Sequence, residues 1–438
     1  MQNSAKSNHN NNPNCNSLTG TIPEIVITSS SVLTGLPSSS SSSLMTTEIT
    51  NDVIEQQSQV EEGCVRIPLM YKNDAYQISY RISGILFNAI VDTGSPFLMI
   101  PGGSCARISR RRWGGCFNDI FLNNDNSIDN DIESSITNLD PTYEYFDGVE
   151  GWTQWKIGTF YFENATGTIL VPDNNNNPSS SSSSIYTDNN KNKKLIFGVA
   201  SDTLMAGPGG TFFGLIRDTD KRIRPSFLGQ TNVKSFQLDF ISNPCTLMLS
   251  TNSLLTTNNS TSSSSSITTT NNNLYNCNNC YIPLVNDLKK FGDPARHYTA
   301  KVSSIAVNGH LLASSTKNQP IYAIFDTGVT GMVISRELYN KRYNYATENR
   351  EKSFWGFVEL SFQTIPTTDT NATTNNNADS SNVTMFASKP VTTPLNPSSW
   401  TNKYNTPYVI VLGLSFLNNT MLTIDIDEEK LWVQSKIQ

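Results

Sequence analysis

The chain has 438 residues, enough for two or three ordinary domains or one large two-lobed protein. A formal net charge of −6 gives nucleic acid or an anionic membrane surface little to hold, and the one dense basic run, Arg107 with Arg110 to Arg112, reads as a solvated loop face. No window approaches the roughly 18 uninterrupted apolar residues of a membrane-spanning helix, so no span is expected.

Residues 1–60 are polar and rich in Asn, Ser and Thr. Such a stretch buries too little apolar surface to offset the entropy of ordering and is expected as a disordered tail. Its start, MQNSAKSNHNNNPNCNS, lacks the short apolar core of a secretory leader, and residues 1–47, Ser/Thr-rich and nearly free of acidic residues, faintly suggest a plastid transit segment, although they carry no arginine. Beyond it the chain reads as β. VRIPLMYKNDAYQISYRISGILFNAIVD alternates apolar with polar residues and is rich in Ile, Val and Tyr. WTQWKIGTFYF alternates too, which assigns Trp152 and Trp155 to packing. YTAKVSSIAVNGHLL repeats the style around Asn308-Gly309, a strong hairpin turn. Polar tracts near 173–194, 251–273 and 365–385 read as surface insertions. SRELYNKRY at 335–343 is the best helical signal, PSFLGQ at 225–230 a weak one, and MLTIDIDEEKLWVQ near the end is a strand, a turn and a strand. Many short strands and few helices predict an all-β fold.

The seven cysteines include Cys64, Cys105, Cys116, Cys245, Cys277 and Cys280. Only Cys277 and Cys280 form a close pair, so structural disulfides are favoured over a four-cysteine zinc site. Three scattered histidines, His9, His297 and His310, offer no Ser-His or Cys-His centre, and neither a phosphate-binding glycine loop nor an HExxH motif is present. No metal and no cofactor are expected.

An internal near-repeat carries the most information. AIVDTGSPFLMI (89–100) and AIFDTGVTGMVIS (323–335) both read Ala-Ile-apolar-Asp-Thr-Gly and then return to apolar residues. Each follows a hairpin-like stretch with a turn glycine, Gly84 or Gly309. Each is followed later by two apolar residues and a glycine, Phe212-Phe213-Gly214 or Val411-Leu412-Gly413. The simplest account is a duplicated β domain, 61–240 and 241–438, with one aspartate per copy. An aspartate at the end of an apolar strand needs a partner beside the core. Two such loops meeting would pair Asp92 with Asp326. Two carboxylates in contact cannot both ionise, so one proton is held between them. A half-ionised pair can take a proton from water and give one to a carbonyl oxygen or leaving amine, with no nucleophilic Ser or Cys required. A lone Asp-Thr-Gly is a common turn; two with matching flanks in matching halves argue for a paired site.

Together, DTGS at 92–95, DTGV at 326–329, the two apolar-apolar-Gly elements and the closing VIVLGLSFLNNTMLTIDIDEEKLWV (409–433) resemble the pepsin-like aspartic peptidases, from about Val65 to Val433. The resemblance implies an all-β, bilobal architecture with pseudo-twofold symmetry, an N-terminal lobe over 61–240 and a C-terminal lobe over 241–438. It also implies a monomeric aspartic endopeptidase that needs no cofactor and binds polypeptide substrates extended in an interlobe cleft. Carried over residue by residue, Asp92 and Asp326 would be catalytic. Thr93 and Thr327 would hydrogen-bond across the lobe interface, Gly94 and Gly328 would aim backbone N–H groups at the carboxylates, and Ser95 would bond the outer oxygen of Asp92. Tyr145, in YEYFDGVEG with Gly148 at its turn, resembles the tyrosine of the family's flap hairpin; Tyr143 can equally take that role. The family and the cysteines favour a secretory or vacuolar compartment. Four positions depart from the family pattern: Val329 replaces a hydroxyl residue, Phe146 a glycine, Val149 a small hydroxyl residue and Met99 a tryptophan. No Lys-rich inhibitory segment is visible before residue 65. These departures support a rival reading, a homologue with the same fold that binds peptides without turning them over.

Overall fold

A computed structural model describes residues 63–96, 98–102, 114–117, 135–136, 139–146, 149–167, 170–171, 183–184, 194–201, 211–217, 225–255, 280–293, 295–366, 382–395 and 407–435. The expected tail, Cys105, Cys277, Gly148 and most of the three polar insertions lie outside these residues. Of the described residues, 54% are in strands and 10% in helices, so the all-β expectation holds.

Alternation explains the strands. In Ile85–Asp92 the residues Phe87, Ala89 and Val91 point into the main core and are fully buried, while Leu86 on the other face is exposed. Hairpin turns fall where the glycines predict. Ser83 and Gly84 have φ of 48° and 78°, and Asn308 and Gly309 have 53° and 77°. Paired left-handed residues match the twist of the strands they join.

Two sheets repeat one connectivity. In the first, Ile85–Asp92 runs antiparallel to Ala75–Ile82 and parallel to Thr211–Gly214; the latter is antiparallel to Leu98–Pro101, which is parallel to Lys194–Ala200. In the second, Ile321–Phe325 runs antiparallel to Thr299–Val307 and parallel to Tyr408–Leu412; the latter is antiparallel to Met332–Ile334, which is parallel to Thr392–Pro394. The apolar-apolar-Gly elements are thus the strands lying beside the two Asp-Thr-Gly strands. One difference stands out. Ile85–Asp92 is continuous, whereas its counterpart is split into His310–Ser314 and Ile321–Phe325, both paired to Thr299–Val307.

A third sheet crosses the expected boundary at 240/241. It joins Cys64–Pro68, Ser235–Asp239, Thr246–Ser250, Cys280–Pro283, Thr420–Asp425 and Lys430–Ser435. Phe236, Leu238, Leu247, Leu249, Leu422 and Ile424 are all fully buried in it, in the same core cluster as Val91 and Phe325. Each such side chain contributes about 1.5–3 kcal/mol of burial.

Helix Arg336–Glu348 confirms the strongest helical signal and runs five residues past it. It buries Leu338 and Ala346, and it buries Arg342 because that guanidinium bonds Glu351 and the Phe354 carbonyl. PSFLGQ yields only a short 3-10 turn, Leu228–Gln230. Cys116 and Cys245 are disulfide-bonded. No described helix is long and apolar enough to cross a membrane.

Candidate active site

Strand alternation also sets where the aspartates point. Tyr322 and Ile324 alternate with the core residues Ile321, Ala323 and Phe325, and with Leu288 and Val409 they form a separate apolar cluster on the opposite face. Asp326 continues that face. Asp92 likewise alternates with Phe87, Ala89 and Val91. Its loop leads into Leu98–Pro101, where Met99 packs with Trp155 and Ala200 in another small cluster.

Both loops close through the same four hydrogen bonds. The Thr93 N–H donates to Thr327 Oγ1 at 3.1 Å and the Thr327 N–H to Thr93 Oγ1 at 3.0 Å. Thr93 Oγ1 then donates to the Phe325 carbonyl at 2.8 Å, and Thr327 Oγ1 to the Val91 carbonyl at 2.6 Å. All are buried, so each group left unpaired would cost about 1–3 kcal/mol. Gly94 N–H donates to Asp92 Oδ1 at 2.8 Å, and Gly328 N–H to Asp326 Oδ1 at 2.9 Å.

The glycines place the carboxylates against each other. A Cβ on Gly94 would fall 2.3 Å from Asp326 Cγ, and one on Gly328 would fall 2.6 Å from Asp92 Oδ1. Each loop's glycine therefore leaves the space that the other loop's carboxylate fills. Burial comes first, and the charge and hydrogen bond of Asp92 second, in pushing the Asp326 carboxyl well above the usual carboxylate range; the N–H groups of Gly328 and Val329 oppose this without reversing it. Two ionised carboxylates about 4 Å apart repel by roughly 4 kcal/mol at an effective dielectric near 20, enough to keep one proton on the pair at mildly acid pH. Such a pair offers a base and an acid side by side.

The hydroxyls around the aspartates are less symmetric. Ser95 is buried, yet its Oγ has no hydrogen-bond partner among the described residues, so the expected bond to Asp92 is not made. Thr330, the only hydroxyl next to Val329, donates instead to the Asp74 carbonyl at 3.3 Å and does not take over support of Asp326. Apart from its hydrogen bond with Asp92, Asp326 is held by the backbone N–H groups of Gly328 and Val329.

The expected flap is a hairpin. Thr142–Phe146 pairs with Val149–Phe162, Tyr145 opposite Glu150 and Phe146 opposite Val149. Gly148 and the side chain of Tyr145 lie outside the described residues. Tyr143 is 54% exposed and meets the exposed Trp152 edge-on at 5.2 Å. Trp155 is buried and donates from Nε1 to Thr142 Oγ1 at 3.2 Å, tying the base of the hairpin to the Met99 cluster.

Tyr298 carries no motif. Its carbonyl accepts the Phe325 N–H at 3.0 Å, and its hydroxyl donates to the Leu215 carbonyl; Leu215 N–H in turn donates to the Asp92 carbonyl at 2.8 Å. One buried tyrosine thus braces the backbone behind both loops.

No protein-family model matches the chain, and no curated protein is similar enough to match it.

Proposed function

We propose that the chain is an aspartic endopeptidase with the bilobal, pepsin-like architecture, in which Asp92 and Asp326 activate a water molecule against a peptide bond. One observation carries the reading: two Asp-Thr-Gly loops from repeated sheets interlock through their threonines and bring two carboxylates into contact. One carboxylate takes the water's proton as it attacks, and the protonated partner donates to the carbonyl oxygen; the first then gives its proton to the leaving amine as the C–N bond breaks, and the partner takes one back from a hydroxyl of the intermediate as the C=O re-forms. Gly94 and Gly328 orient the carboxylates, and Thr93 and Thr327 fix their separation.

The apolar clusters on either side of the pair, Met99 with Trp155 and Ile324 with Leu288, supply walls for apolar side chains next to the scissile bond. The hairpin 142–162 is the lid of this reading, closing over an extended polypeptide. The test is hydrolysis of denatured casein at pH 3–5, with and without a hydroxyl-bearing transition-state mimic of a peptide. Cleavage blocked by the mimic is expected. Tight uptake of the mimic with no cleavage would instead support the rival reading of a peptide-binding module, which Val329 in place of a hydroxyl residue favours.

A further inference from the structure

Away from the paired carboxylates lies a cavity of about 260 Å³. Among the described residues, Tyr298, Leu284, Val285 and Ile426 give it apolar walls, and Arg217, Arg296, Asp427 and Glu429 also line it. Tyr298 is 6% exposed and is the residue that braces both aspartate loops, so the cavity lies behind them, linked to Phe325 through one hydrogen bond and to Asp92 through two.

The ion pairs of the arginines are open to solvent, although Arg217 Nη2 also donates to the Val233 carbonyl. Arg217 Nη1 meets Asp427 Oδ1 at 2.6 Å, and Arg296 Nη2 meets Glu429 Oε1. Both carboxylates belong to the turn that joins the last two strands of the third sheet. The side chains of these pairs are 29–48% exposed. Ion pairs this open contribute only about 0–1 kcal/mol, so an incoming carboxylate can exchange with them at little cost. A guanidinium also reads a carboxylate in a two-pronged geometry that neither turn residue is seen to use. The remaining basic residue on the wall, His297, is bonded to Asp293 at 2.7 Å and is already engaged.

We propose that this cavity is a second binding site, distinct from the aspartate pair, for a carboxylate carried on a small apolar body: the chemistry of an apolar residue at a peptide's C-terminus or of the free acid. The apolar walls take the side chain, and Arg217 and Arg296 take the carboxylate in place of Asp427 and Glu429. The volume suits a single residue.

Calorimetric titration of the full chain tests this with N-acetyl-L-leucine, its methylamide and a tetrapeptide ending in leucine. The free acid binds, and the amide binds about tenfold or more weaker, because only the acid offers charge to the arginines. Equal binding of the acid and the tetrapeptide shows that the terminal residue alone is recognised; tighter tetrapeptide binding assigns the site to peptide ends. Arg296→Met, at the more exposed arginine, weakens the acid about tenfold, and Arg217→Met does the same if its lost bond to the Val233 carbonyl leaves it folded. Asp92→Asn, which removes the proposed chemistry, leaves binding unchanged, so failure of the peptidase reading does not affect this result. Equal affinity for acid and amide, no binding of the acid, or full affinity in Arg296→Met would overturn the proposal.

Discussion

At Asp92 and at Asp326 a glycine N–H two residues on bonds the carboxylate, and a threonine reaches across to the other loop. Beyond that backbone frame the two loops part. The first carries a buried serine hydroxyl. The second carries Val329, and its neighbouring Thr330 turns away to Asp74. The symmetric part fixes where the carboxylates sit; in the asymmetric part neither Ser95 nor Thr330 bonds its aspartate. Asp326 is raised by burial and by its partner.

The most severe way to break the comparison is to remove either carboxylate. Asp92→Asn and Asp326→Asn are each expected to lower kcat/KM for a peptide by about 10²-fold to 10⁴-fold at pH 4, the range for general acid–base groups. Equal loss in both confirms that neither loop works alone. Gly94→Ala tests the close approach. Its Cβ has no room beside Asp326, so that carboxylate must shift, and a displacement of about 1 Å costs about 10²-fold in rate; circular dichroism shows the fold retained.

Thr93→Val removes one hydroxyl that donates to the Phe325 carbonyl and accepts from Thr327 N–H. Chemical denaturation should register a loss of about 2–6 kcal/mol for the two stranded groups. Thr327→Val should match it, since the frame is symmetric. Val329→Thr is the smallest change and the sharpest test of the asymmetry. A hydroxyl beside Asp326 favours its charged form, so the alkaline limb of the kcat/KM profile should move down by about one pH unit. Stability carries the same signature with a definite sign. Because Asp326 keeps its proton in the folded chain after the unfolded chain has lost it, stability falls as pH rises from the ordinary aspartate value through the raised one. Asp326→Asn should flatten that fall, giving a melting temperature above wild type at neutral pH.

Much of this was legible beforehand, for physical reasons. Period-two alternation marks strands, and Asn308-Gly309 marks a hairpin, because both are local consequences of backbone geometry. Repeated Asp-Thr-Gly segments announced a pair. The strand partners were not legible: nothing local in Cys64–Pro68 says that it lies beside Thr246–Ser250, so a sheet shared across residue 240 escaped the reading. The helix outran its signal because its last turn, YATE, is polar and its burial rests on Ala346 alone. Hydroxyl directions at Ser95 and Thr330 depend on rotamers and neighbours that motifs do not encode. Tyr298 looked like any strand aromatic until its two backbone partners came from different halves of the chain.

The coupling between the two carboxyls is open to direct observation by ¹³C NMR titration of the Asp326 carboxyl, in the wild type and in Asp92→Asn. With Asp92 neutralised, the midpoint for Asp326 should drop toward the ordinary aspartate range, stopping short of it because burial remains. An Asp326 titration identical in the two proteins would show that the carboxylates ionise independently, and the peptidase chemistry assigned to them would fail.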